Sequence, residues 1–316
     1  MNEKHPLSSR LLCNHRKYEM KIAIIGSTGL LGSNLVYDYA KKGFDVKGFS
    51  RSNSKNIDSN YNNLIEFHDL EKELSTIFDS WIPTLIINTI AIVNLQKCEE
   101  NYNLAYHVNV EIAKELATIA RKYKSHFIHI STDHYYNDSL VKHSENDKIV
   151  LLNNYAKTKY EAEKEVLNIY NQSLVVRTNI IGFRRNETDS FFEWLLNSIE
   201  TKNAINLFSN FYTSPISVNE LSEILLQSHY KVLNGIYNIS SSEVIDKFNF
   251  GIKTAEKFGC SIDNISQVVI QNNFQDGITR ALSLGLDVSK IETALNIKMP
   301  TVDETLNYLY HKYEEM

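Results

Sequence analysis

Lys21-Ile-Ala-Ile-Ile-Gly-Ser-Thr-Gly-Leu-Leu-Gly32 is the stretch whose reading decides the fold. Residues 21–25 are rich in branched apolar side chains and predict a buried strand that stops at Gly26. Gly26, Gly29 and Gly32 let the backbone turn tightly and come close to a pyrophosphate. The helical pattern that begins after Gly29 aims its first free N–H groups at the same place. Strand, phosphate loop and helix are therefore expected in that order, with Gly26, Thr28, Gly29, Leu30, Leu31 and Gly32 as candidate cofactor contacts. The spacing is G-x-x-G-x-x-G, one residue longer between its first two glycines than the G-x-G-x-x-G dinucleotide fingerprint.

Outward from this loop, strands alternate with helices. Apolar residues recur at helical spacing from Gly29 to Lys42, Gly43 supplies a stop, and 44–49 returns as a strand. That second strand runs into Ser50-Arg51-Ser52-Asn53-Ser54-Lys55. An acidic residue here would bond a free ribose 2′-hydroxyl, whereas an arginine accommodates a 2′-phosphate. NADPH is therefore the preferred cofactor, with Arg51 on the phosphate and NADH as the alternative. Further strands are predicted at 64–67, 85–88, 126–131 and 174–178, and helices at 71–81, 99–123 and 154–170. This alternation implies a Rossmann-type, doubly wound parallel sheet over 20–182, with helices on both faces. Beyond residue 182 it lapses, with helices at 190–200, 219–230 and 248–258 and a strand at 235–239. A smaller, mixed substrate-binding domain is expected over 183–316, with segments returning to the first. Thr301 and Glu304 have capping-box spacing before a last helix. Residues 1–19 carry no periodicity and no long apolar segment, so they read as a disordered or non-native extension rather than a secretory signal.

Composition narrows the function. The chain has 316 residues, is 43% hydrophobic and 22% charged, and carries a formal net charge of −5. That balance suits a globular enzyme and argues against broad binding to nucleic acid or an anionic membrane. The longest apolar run, 85–93, is too short to span a bilayer. Cys13, Cys98 and Cys260 form neither a metal nor a redox spacing and suit a reducing cytoplasm.

The chemistry is expected at strand ends. Ser131-Thr132-Asp133 closes the 126–131 strand, and Asn153-Asn-Tyr155-Ala-Lys-Thr-Lys159 opens a helix on which Tyr155 and Lys159 share a face. Carbonyl reduction needs a proton donor at the oxygen that becomes an alkoxide. A tyrosine with an ordinary pKa near ~10 serves, helped by a lysine ammonium that favours the phenolate. Thr132 would hold the carbonyl. Tyr37/Lys41 and Tyr160/Lys164 repeat the spacing. Tyr37 follows the phosphate loop, away from the catalytic edge, and Tyr160 is rotated by roughly 140° from Tyr155.

Order and spacing together bring out a resemblance. The chain from Met20 to the last helix resembles an extended short-chain dehydrogenase/reductase of the dTDP-4-dehydrorhamnose reductase family. The likeness rests on Gly26–Gly32, Asn88-Thr-Ile-Ala91, Lys97-Cys-Glu99, His107-Val-Asn109, Phe127-Ile-His-Ile-Ser-Thr-Asp133, the 154–163 run, Val176-Arg-Thr178 and the 280–291 segment. It implies that Tyr155 is the proton donor, that Lys159 also binds the nicotinamide ribose and that Thr132 completes the triad. Asp69 and Leu70 would lie by the adenine and Thr89, Ile90 and Ala91 beside the cofactor. Asp133 and Arg280 would face a nucleotide-sugar substrate, Arg280 at its phosphates, and a homodimer is left open. Two departures fall where the sugar should sit. Family members usually carry Ser-Thr-Asp-Tyr-Val-Phe where this chain has Ser131-Thr-Asp-His134-Tyr-Tyr136. They also tend to have a Trp after the Arg-Thr strand, where this chain has Asn179-Ile-Ile-Gly182. Two other readings share the resemblance: an epimerase or dehydratase with tightly held NAD, and a non-catalytic subunit like the regulatory β subunit of methionine adenosyltransferase, working through its partner.

Overall fold

The computed structural model describes residues 20–52, 60–66, 68–137, 142–185, 189–270 and 277–316. Residues 1–19, Phe67 and Asn53-Ser54-Lys55 of the basic loop, about which expectations were stated, lie outside the described residues. Six strands follow in chain order: β1 (Lys21–Ile25), β2 (Asp45–Ser50), β3 (Asn62–Leu64), β4 (Leu85–Asn88), β5 (His126–Ile130) and β6 (Leu174–Arg177). With the later strand Gly235–Asn238 they form one seven-stranded sheet in the order Gly235–Asn238, β6, β5, β4, β1, β2, β3. Every pairing in it is parallel. The order reverses between β1 and β4, the switch point outside whose carboxyl ends open α/β sheets bind ligands.

Burial follows from the alternation of side chains along each strand. On β1, Ile22 and Ile24 enter one core with Leu31, Leu35 and Tyr39 of α1 (Leu30–Lys41) and with the helix Val218–Tyr230. Ala23 and Ile25 enter the opposite core, with α2 (Leu70–Phe78), α5 (Ile112–Tyr123) and α6 (Asn154–Ile169). A central strand buried on both faces reads as the continuous apolar run that the sequence carries. Both the Val218–Tyr230 helix and the Gly235–Asn238 strand therefore build the sheet layer, although they come late in the chain.

A third core, built on Phe192, Leu195, Phe250 and Leu306, gathers the helices Phe191–Glu200, Lys247–Lys257 and Val302–Glu314. Around it lie short strand pairs, including Ile205–Phe208 beside Ile265–Val268 and a three-stranded patch centred on Tyr212–Thr213. The expected capping box forms, with the Thr301 side chain accepting from the Glu304 N–H and the Glu304 carboxylate accepting from the Thr301 N–H.

Two elements differ from expectation. The single helix predicted at 99–123 is four pieces: α3 (Leu95–Glu100), α4 (Tyr102–Tyr106), a π-helical turn at His107–Glu111, and α5. Asn101 leaves helical geometry because its side chain caps the Leu104 N–H at 2.9 Å, a competition that short polar side chains win readily. The third strand lies at Asn62–Leu64 rather than 64–67, because Asn62 pairs with Gly48 and its side chain accepts from Ser27 Oγ at 2.6 Å.

Candidate active site

The loop after β1 is built to approach a ligand closely. Gly26 has φ +92°, and a side chain there would press on Thr89 Oγ1 at 2.7 Å. Gly32 packs against the Gly26 carbonyl so tightly that a Cβ would collide with it. The Gly26 carbonyl also accepts from the Gly29 N–H at 3.1 Å and from Thr89 Oγ1 at 3.1 Å. The Thr89 backbone N–H donates to the Ile25 carbonyl at 2.8 Å, so the ends of β1 and β4 are laced together. Gly29 is the N-cap of α1, with no side chain capping that end and no acidic residue in the first turn. The N-terminus of α1, with Leu30 and Leu31 on its first turn, therefore suits an anion, and the glycine cradle fits a dinucleotide pyrophosphate.

The other expected cofactor residues lie on the segments that follow β2, β3 and β4. Arg51 is exposed where β2 ends, and Ser50 beside it donates to the Ser52 carbonyl at 2.7 Å. Asp69 is the N-cap residue of α2, and its carboxylate pairs with Lys72 at 3.1 Å; Leu70 is buried behind it. Thr89, Ile90 and Ala91 follow β4. Asn109, presented by the π-helical turn, accepts from the Ile92 N–H at 2.8 Å and donates to Thr158 Oγ1 of α6 at 3.0 Å. The turn after β4 is thus tied to the helix that carries Tyr155 and Lys159. Such π-turns recur at functional sites.

Thr132, Tyr155 and Lys159 come together beyond β5, all buried. The Thr132 hydroxyl lies near enough to the Tyr155 phenol to act on it, while it donates to Asp133 Oδ1 at 3.4 Å and accepts from the His134 N–H at 3.3 Å. Burial raises the Tyr155 pKa above its ordinary value, Thr132 opposes the shift, and Asp133 and Cys98 add to it. This differs from the expectation that Lys159 draws the phenol down. The lysine Nζ instead donates to the Ile130 carbonyl at 2.7 Å and lies 3.4 Å from His129 Nε2. Burial pushes Lys159 itself down to about 8, with Glu163 opposing.

Asp133 accepts from Asn179 Nδ2 at 2.7 Å, and its pKa is raised by burial against the pull of His134, Asn179 and Lys247. The substituted run His134-Tyr-Tyr136 divides in two. Tyr135 and Tyr136 are buried and spend their hydroxyls on Ser131 and Arg177, whereas His134 stands edge-on to the Tyr155 ring at 5.5 Å. His134 thus borders the Tyr155 ring. The Asn179 departure likewise lies in the site, through its bond to Asp133.

Next to this centre lies a cavity of about 240 Å³ lined by Phe191, Trp194, Phe208, Phe211, Lys247 and Arg280. Arg280 was expected. Lys247 was not, because nothing in the local sequence separates it from other lysines; it opens the Lys247–Lys257 helix after its N-cap Asp246. Its Nζ lies 4.3 Å from the Phe191 ring centre, and burial lowers its pKa to about 8, with Asp133 opposing. Two cations on aromatic walls match the chemistry of an aromatic base joined to phosphates.

Residues 20–315 match the family model described as the RmlD substrate binding domain. The chain belongs to this family. This is an RmlD-like reductase family of the extended short-chain dehydrogenase/reductase type. The RmlD-family chain is 24% identical over 287 residues to the probable low-salt glycan biosynthesis reductase of Haloferax volcanii, covering 90% of this chain and 95% of that one. It is 24% identical over 279 residues to methionine adenosyltransferase 2 subunit beta of Xenopus laevis, covering 85% and 80%. Its fold superposes with a TM-score of 0.80 on a crystal structure of dTDP-4-dehydrorhamnose reductase from Bacillus anthracis in complex with NADP. That pair is 19% identical and covers 93% of this chain and 99% of the other. Among the described residues no helix is long and apolar enough to cross a membrane, and no three His, Cys, Asp or Glu side chains group as metal ligands.

Proposed function

We propose that this protein is an NADPH-dependent reductase of the keto group of a nucleotide-activated deoxysugar, with Tyr155 as proton donor. The observation that carries the reading is the buried set of Thr132, Tyr155 and Lys159 beyond the carboxyl end of β5, with Lys247 and Arg280 of the neighbouring cavity acting on His134 beside the Tyr155 ring. The loop of Gly26, Thr28, Gly29, Leu30, Leu31 and Gly32 would hold the pyrophosphate and Arg51 the 2′-phosphate. Asp69 and Leu70 would sit by the adenine, and Thr89, Ile90 and Ala91 beside the cofactor. When bound, NADPH supplies a hydride to the carbonyl carbon. Thr132 orients the carbonyl oxygen with its hydroxyl, and Tyr155 delivers the proton as alkoxide character develops there. A phenol kept neutral by burial is ready to donate at neutral pH. Asp133 would position the sugar and Arg280 its phosphates. A cytoplasmic setting and a homodimer belong to the same reading.

The test is loss of NADPH absorbance on adding freshly generated dTDP-4-keto-6-deoxyhexose. Steady consumption is the expected result, and refusal of this and of other keto-sugars would overturn the reading. Similarity to methionine adenosyltransferase 2 subunit beta supports a second reading, a dinucleotide-binding regulatory subunit. NADPH binding without turnover, together with co-purification of a larger enzyme, would favour it.

Cofactor choice can be tested separately. A charge-assisted bond to the 2′-phosphate contributes about 1.5–3 kcal/mol, so Arg51→Ala should narrow the preference for NADPH over NADH by about tenfold or more. Measured dissociation constants for both cofactors check this. An unchanged ratio removes Arg51 from the role.

A further inference from the structure

The parallel register of β4 and β5 sets Asn88 directly opposite His129, in the fully buried layer behind Lys159. The Asn88 side-chain carbonyl accepts from the Ile90 N–H at 3.0 Å, which turns the amide nitrogen toward His129 Nδ1 at 3.0 Å. An amide nitrogen only donates, so Nδ1 must be the accepting nitrogen of the ring. A neutral imidazole carries a single proton, which therefore sits on Nε2, the nitrogen facing Lys159 Nζ at 3.4 Å. An N–H is thus aimed at the amine. An ammonium offers only donors and meets this N–H unfavourably, whereas a neutral amine can accept from it and still donate to the Ile130 carbonyl.

We infer that Asn88 and His129 form a buried arm whose fixed tautomer governs how much of Lys159 is ammonium beside Tyr155, which makes His129 a positioning residue of the reaction. The inference rests on the reading above for its catalytic meaning, but the charge on Lys159 can be measured without any substrate. Burial keeps His129 itself neutral, holding its pKa well below the ordinary value, and Lys159 adds to that. The other groups around the amine are accounted for. On α6, Glu163 favours the ammonium and Tyr155 lies one turn back. On β6, Arg177 is bonded to Glu163, as is Ser131 just beyond β5. Asn109 beside α6 does not titrate. The imidazole N–H is the group in this set that acts against the charge by hydrogen-bond polarity.

The experiment is an NMR titration of the lysine ε-carbons, with the Lys159 signal identified by its loss in Lys159→Met. In His129→Leu the opposing N–H is gone, and the Lys159 midpoint should rise by about one pH unit. His129→Gln can return an amide N–H to the Nε2 position and should keep the midpoint near the wild-type value. Asn88→Asp has nearly the same shape and protects the test against a variant that fails to fold. Its carboxylate draws the imidazole proton to Nδ1, leaving Nε2 to accept from the ammonium, so the midpoint should rise further. If the midpoint is unmoved in His129→Leu or Asn88→Asp, or moves equally in His129→Leu and His129→Gln, the inference is overturned. In the reductase assay the alkaline limb of the pH profile should follow the same shifts. Shifted midpoints in a protein that reduces no keto-sugar would defeat the functional reading and leave the arm standing.

Discussion

Tyr155→Phe should reduce turnover of the keto-sugar by about 10²–10⁴-fold, the range general acid catalysis supplies, while NADPH binds as in the wild type. The substitution leaves a ring of the same shape among Cys98, Ala105, Ile92 and Leu95, so packing is preserved and only the acidic hydroxyl goes. Steady-state NADPH consumption measures the first effect, and fluorescence titration with NADPH the second. Retained turnover would dismiss Tyr155 as the donor; lost binding would assign it to the cofactor site instead. The wild-type pH profile carries a related sign. Burial holds the phenol protonated well past neutrality, so the donor itself does not run out first. Lys159, pushed down to about 8, loses its charge as pH rises through that value. In the proposed reaction that ammonium favours the phenolate left by proton delivery, so turnover should fall on the alkaline side near this pH, earlier than an unperturbed tyrosine or lysine would allow.

What was legible in the sequence was local. Gly26, Gly29 and Gly32 were legible as a tight turn because they act within one strand-to-helix connection. Tyr155 and Lys159 are legible because a helix fixes what four residues of separation means. The parallel sheet follows from alternation alone. Pairing across the sheet was not legible: the third strand slid toward Asn62 because an amide side chain found Ser27 and Ser50, partners remote in sequence. The long helix broke at Asn101 for a local reason that apolar periodicity does not register. Lys247 reached the site through the chain's return path rather than through any motif. The electrostatic expectation for Tyr155 went astray for the same kind of reason. Spacing placed Lys159 beside it, but the lysine's hydrogen-bond partners, Ile130 and His129, belong to a different element.

Replacing Arg177 by methionine should destabilise the fold by about 3–5 kcal/mol, because it strands a buried carboxylate. Arg177 and Glu163 are each about 1% exposed, and the guanidinium holds both carboxylate oxygens, with Nη2 to Oε2 at 2.7 Å and Nε to Oε1 at 3.1 Å. Its Nη1 also donates to the Tyr136 hydroxyl at 3.0 Å, and its Cζ lies 5.0 Å from the Tyr135 ring centre. Ser131 donates to the same carboxylate at 2.5 Å. The ion pair therefore backs the Ser131-Thr132-Asp133 turn. A cavity of about 400 Å³ lined by both partners gives water a route toward the orphaned charge, which favours the lower end of the range. Urea unfolding of Arg177→Met, Glu163→Gln and the double variant separates charge from packing. If the stranded carboxylate is the cause, the double variant should lie closer to wild type than Arg177→Met does, since a neutral pair has no uncompensated charge to bury. Simple addition of the two single losses would instead make Arg177 a packing residue whose charge is incidental. In that case the active-site turn would lose its electrostatic support as an explanation for why so large a cation lies beneath it.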